Sequence, residues 1–164
     1  MKTLEELFTD MLMDVYYAEN AILKALPKMA KTSKSPELSR LFTDHLEETK
    51  GQVARLEQVF ELIDTKAKGK KCHAIEGLIT EAEDVMADAT DAAVRHAGML
   101  ADAQAVEHYE MARYGALIAW AKQLKLPEAA RLLDQTLAEE KAADQKLSKL
   151  ASSLNEAASK TEKT

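Results

Sequence analysis

The sequence predicts an all-α protein: four long helices arranged as two repeated helical hairpins, with an extra short helix in the crossover between them. Three observations carry this. Residues 19–56 and 110–147, laid ungapped at an offset of 91, are identical at 15 of 38 positions. Two unrelated Ala/Leu/Glu/Lys-rich helical stretches would share roughly four. Apolar residues recur at three- and four-residue spacing through most of the chain. Only 5 glycines and 3 prolines occur in 164 residues, leaving little turn chemistry for a sheet.

The first long helix is expected from about Thr3 to Lys31. Thr3 with Glu6 forms a capping-box pattern. Leu4, Leu7, Phe8, Met11, Val15, Ala18, Ile22, Ala25 and Leu26 follow helical spacing. Pro27 falls inside that pattern and either kinks or shortens the helix. The second opens at Ser35-Pro36, a good N-cap followed by proline at the first helical position. Its inward face reads Leu38, Leu41, His45, Glu48, Gln52, Leu56, Val59 and Ile63, ending near Asp64. A connector, Thr65 to His73, leads to a short helix from about Ala74 to Ala89, with Ile75, Leu78, Ile79, Ala82, Val85 and Met86 as its stripe. Further long helices run from about Asp91 to Leu124 and from Pro127 to about Asn155. The domain is therefore placed at residues 1–155, with a polar, frayed tail from Glu156 to Thr164. Short links within each hairpin and one long crossover between them describe the ferritin-like four-helix bundle.

A net charge of −6 argues against general nucleic-acid binding. The basic run from Lys66 to Lys71 reads as a solvated connector. The single cysteine, Cys72, excludes an intrachain disulfide and fits a reducing cytoplasm. The sequence shows neither a signal peptide nor an apolar run long enough for a membrane span.

The chemistry lies in acids that recur with the repeat. Glu19 and Glu48 reappear as Glu110 and Glu139. Carboxylates are hard, anionic donors that can bridge two ions, and several together in a bundle core call for a cation. On the second helix, His45, Glu48 and Gln52 interrupt an apolar seam. On the last, the repeat favours Glu139 as the inward acid, while Glu140 with Asp144 one turn on is an alternative pair. Glu107 and Glu110 share a face, so the third long helix can supply two carboxylates. Tyr16, Tyr109 and Tyr114 fall within a turn of these acids. Interhelical salt bridges are the competing use for repeated acids. The seam offers few cations to make them, because Lys50 and Lys141 lie on another face.

The stretches Asp44-His-Leu-Glu-Glu-Thr-Lys-Gly-Gln52, Cys72 to Glu81, Val106 to Glu110 and Glu139 to Asp144 closely resemble the YciE/YciF-like family, and the similarity reaches about residue 155. The resemblance implies a ferritin-like fold, a homodimer and a link to bacterial stress responses. The wider superfamily implies a dinuclear iron or manganese site, transferring most directly to Glu19, Glu48, Glu110 and Glu139. One departure stands out. The superfamily's Glu-x-x-His is absent: Gly51 follows Glu48 at +3, and Ala142 follows Glu139. Histidine instead precedes Glu48, as His45.

The expectation is a cytoplasmic, dimeric, metal-binding stress protein, with Glu19 and Glu110 each capping one iron or manganese and Glu48 and Glu139 bridging. His45, Glu107 and Glu140 or Asp144 would complete the shell, and Fe(II) oxidation by oxygen or peroxide would be its reaction. The alternative is a non-catalytic structural or interaction protein with a vestigial site.

Overall fold

The computed structural model describes residues 1–161. Among them are five α-helices and no strand: α1 (Leu4–Thr32), α2 (Pro36–Leu62), α3 (His73–Asp88), α4 (Ala92–Gln123) and α5 (Pro127–Ser159). No helix among the described residues is long and apolar enough to cross a membrane. The expected tail is helical as far as Ser159, and residues 162–164 lie outside the described part. α1 is not shortened at Pro27. The proline forfeits only its own bond to the Leu23 carbonyl.

Four helices start on a side-chain cap. Thr3 accepts from the Glu6 amide at 3.2 Å and Ser35 from Leu38 at 3.3 Å. Asp91 accepts from Val94 at 3.0 Å. Cys72 takes the same role for α3, its sulfur accepting from Ile75 at 3.4 Å. The fifth, α5, opens on Pro127, which has no N–H to satisfy. α2 and α4 end alike. Asp64 (φ 50°) and Lys125 (φ 58°) turn the chain left-handed, and Thr65 and Leu126 donate back to Phe60 and Ala121 at 3.0 and 2.9 Å.

The ends of α1 and α2, and of α4 and α5, are only three residues apart, so each pair is an antiparallel hairpin. α1 packs on α2 and α4, and α5 on α4 and α2. α3 lies outside the four, against α1 and α4. It approaches α4 over Gly98, where a methyl would sit 2.5 Å from Val85 Cγ1. His96, buried on α4, accepts from the Lys34 amide at 2.9 Å and pins the α1–α2 turn to the second hairpin.

The core has two apolar halves. Phe8, Leu12, Val15, Leu56, Phe60, Leu117 and Leu133 belong to one. Ile22, Leu26, Leu38, Phe42, Met99 and Leu147 belong to the other. Between them on every long helix lies a buried polar layer: Glu19 on α1, His45, Thr49 and Gln52 on α2, Glu107 and Glu110 on α4, and Thr136 and Glu140 on α5. The fold thus delivers its charged groups to the middle of the bundle.

Lys125 is exposed and left-handed without being glycine. Lys125→Gly is expected to raise stability by about 0.5–1 kcal/mol in urea denaturation, because relief of the backbone penalty exceeds the added unfolded-state entropy.

Candidate metal centre

Four donors converge in the polar layer. His45, Glu107, Glu110 and Glu140 each offer one ligand atom, and these atoms all lie within 4.8 Å of one another. The helical period places them. Glu107 and Glu110 are one turn apart on α4, while α2 and α5 each turn one donor inward. Glu19 is fully buried beside them, and its Oε1 accepts from the Tyr114 hydroxyl. His45 Nε2 lies 3.6 Å from Glu107 Oε1, and its Nδ1 lies 3.6 Å from Glu48 Oε2.

Burial dominates the electrostatics. It pushes the Glu19 carboxyl up to about 8, with the neighbouring Glu140 charge adding to the shift. It pushes Glu107 up to about 11, aided by the neighbouring Glu140 carboxyl. Glu110 is raised well above the carboxylate range by burial and then by Glu140 and Glu19, and Glu140 is raised by burial as well. The acids stand in two neighbouring pairs, Glu107 with Glu140 and Glu110 with Glu19. Such pairs share protons because adjacent carboxylates cannot all ionise out of water.

The donors are also left unsatisfied. Both His45 nitrogens, both Glu110 oxygens and the Oε2 atoms of Glu19, Glu107 and Glu140 are buried with no hydrogen-bond partner among the described residues. Buried polar atoms are normally paired. Gln52 Oε1 is unpartnered too, and the other seven atoms of the layer, all carboxylate oxygen or imidazole nitrogen, fit a hard or borderline divalent cation.

The structure sets two of the four repeated acids apart from the converging donors. Glu48 and Glu139 are about one-third exposed and stand outside the cluster. They form reciprocal ion pairs between α2 and α5: Lys146 Nζ meets Glu48 Oε1 at 3.2 Å, and Arg55 Nη2 meets Glu139 Oε1. Arg55 and Lys146 are themselves 91 residues apart, so the duplication conserves a pair of salt bridges here. The cations were visible two turns beyond each glutamate. The competing salt-bridge reading therefore holds for these two acids.

The preference for Glu139 over Glu140 is reversed. Glu140 is fully buried and accepts from the Gln52 amide, as does Glu139 at 3.2 Å. On α2 the corresponding buried residue is Thr49. Asp144 stays at the edge, accepting from Gln104 at 3.2 Å and facing His108 Nε2 at 3.2 Å. Arg55, absent from the expected set, also donates to Thr136.

Residues 3–160 match the family model described as a domain of unknown function, DUF892. The chain is 48% identical over 152 residues to protein YciF of Escherichia coli (strain K12), covering 92% of each. The crystal structure of the E. coli stress protein YciF matches with a TM-score of 0.92 at 46% identity, over 95% of this chain and 99% of that one. YcfI from Rhodopseudomonas palustris matches at 0.88 and 49%, over 90% and 94%. A protein from Xanthomonas campestris matches at 0.77 and 26%, over 94% and 95%.

The raised carboxyl values fix a pH dependence for the metal-free protein. The unfolded chain ionises these acids near 4.5, while the folded chain keeps the Glu19 proton to about 8. Their contribution is whole below 4.5 and declines as pH rises, because the unfolded state then binds fewer protons. Urea titrations of metal-free protein should show stability falling between about pH 4.5 and about 8. Glu107→Gln should flatten that fall.

Proposed function

The chain belongs to the DUF892 family, and we propose that it is a metal-binding bacterial stress protein whose bundle core holds iron or manganese. The observation that supports this most is the set of buried, unpartnered oxygen and nitrogen atoms on His45, Glu107, Glu110 and Glu140. The stress link comes from the E. coli relative, which carries that description.

His45, Glu107, Glu110 and Glu140 would hold one ion, and Glu19, paired with Glu110, adds the carboxylate that a second ion needs. A ferrous or manganous ion at this position would supply one-electron chemistry toward an oxidant. The chain's own work is to orient and deprotonate the donors. Tyr114 fixes Glu19, and Gln52 fixes Glu140. Two apolar halves flank the layer on either side. The shared protons must leave as a cation enters.

The rival reading is a structural protein with a vestigial site, and the proton-sharing pairs favour it, since they let the cluster stand without an ion. The Rhodopseudomonas relative is provisionally called a structural protein. Metal content of protein purified without an affinity tag separates the two. Metal retained through gel filtration supports the first reading, and metal-free protein equally stable in chelator supports the second.

Anaerobic calorimetric titration with Mn(II) or Fe(II) tests the donor set. Binding should release protons, read as a dependence on buffer ionisation enthalpy. Glu140→Gln should weaken binding by at least about tenfold, and Glu48→Gln by less than about threefold. The opposite ranking would return the bridging role to Glu48.

A further inference from the structure

A cavity of about 60 Å³ lies within the bundle beside the candidate centre. Its wall includes His45 and Glu107, whose unpartnered atoms belong to the donor cluster. It carries charged groups toward two sides. Toward α3 stand Asp102, with one buried and unpartnered oxygen, and the exposed Lys28–Glu83 pair. On α2 and α5 stand Glu48 and Lys146, both partly exposed and joined at 3.2 Å. The two sides are not equally near the donors. Glu48 Oε2 is 3.6 Å from His45 Nδ1. Asp102 precedes Glu107 by five residues, about 7.5 Å along α4, and faces Glu81 of α3.

We infer that a divalent cation enters between α2 and α5, taken from water by Glu48 and passed to His45 and Glu107, with Lys146 as the latch over the way in. The inference rests on the metal reading of the inner donors. A cation leaves water only where oxygen or nitrogen atoms replace its shell step by step. Glu48 supplies such a step, with Oε1 toward Lys146 and solvent and Oε2 toward His45. His45 then turns Nε2 to Glu107 Oε1, at 3.6 Å. The duplication supplies a comparison. The equivalent pair, Arg55 with Glu139, joins the same two helices, yet among the described residues neither lines the cavity. The Arg55 side chain is only 17% exposed and also donates to Thr136, while Glu139 accepts from Gln52 as well. A guanidinium fork held on two partners stays in place. The Lys146 side chain is 45% exposed, and Glu48 is its one partner among the described residues. A single exposed ion pair is weak, so this lysine can swing aside while the bundle stays packed. One copy of the repeated brace is sealed and the other opens.

Binding kinetics test this apart from affinity. Stopped-flow mixing of metal-free protein with Mn(II), read with a pH indicator through the protons released, gives the association rate. Transfer of bound Mn(II) to excess EDTA gives the dissociation rate. Glu48→Gln should slow both by at least about fivefold, because an entry group sets rates while affinity stays within about threefold. Lys146→Gln should quicken both by at least about threefold. Glu139→Gln, the same charge change at the repeated position, and Asp102→Asn, on the α3 side, should each alter association by less than about twofold. Slowing by Glu139→Gln equal to that by Glu48→Gln would reduce the effect to surface charge, and a larger slowing by Asp102→Asn would move the entry to α3. Either result overturns the route. Unchanged dissociation in Lys146→Gln overturns the latch. Weakened equilibrium binding in Glu48→Gln at an unchanged association rate makes Glu48 a resident ligand and overturns its entry role. Parent protein that binds no Mn(II) overturns the metal reading, and the route with it.

Discussion

Glu19, Glu107, Glu110 and Glu140 lie in one layer with His45, between two apolar halves of a helical bundle, and the cost of taking those carboxyls out of water governs the rest of the structure. Burial raises all four acids above their ordinary range. Without an ion, the raised carboxyls hold on to protons, and Tyr114 and Gln52 donate to Glu19 and Glu140. A divalent cation would relieve the same penalty in another way, by replacing protons with a charge that the seven unpartnered atoms can all face. Structure and proposed function are thus two responses to one electrostatic problem.

The pseudo-symmetry of the duplication divides between two uses. Glu19 and Glu110 remain buried equivalents at the centre. Glu48 and Glu139 are equivalents as well, but they tie α2 to α5 through Lys146 and Arg55 at the edge of the layer. The inner donors break the symmetry. His45 stands where α5 has Thr136, Glu140 where α2 has Thr49, and Glu107 where α1 has Tyr16. Duplication supplied the bundle and its cross-braces. Later divergence gave the interior a one-sided set of oxygen donors and one imidazole.

Much of the fold was legible because its signals are local. The caps at Thr3 and Ser35, the prolines at 36 and 127, and the helical spacing of Phe8, Val15 and Ile22 each specify nearby backbone. The centre was legible in part. Glu19 and Glu110 follow from the repeat, Glu107 from sharing the Glu110 face one turn away, and His45 from interrupting an apolar seam. Glu139 and Glu140 did not separate, because adjacent residues differ by only about 100° around the helix and both flank apolar rows. The repeat pointed to the wrong one of the two, since it records shared ancestry and not shared burial. Arg55 and Lys146 carried the missing information: a cation kept two turns beyond each repeated glutamate marks a salt bridge.

The central claim is that the ion site is the inner set of donors and not the repeated outer pair. Anomalous diffraction from crystals grown metal-free and soaked in Mn(II) locates the ion directly. The account predicts a peak within bonding distance of His45, Glu107, Glu110 and Glu140, with the Lys146–Glu48 and Arg55–Glu139 pairs intact. A peak held by Glu48 and Glu139 with those pairs broken, or a layer with no peak, would contradict it.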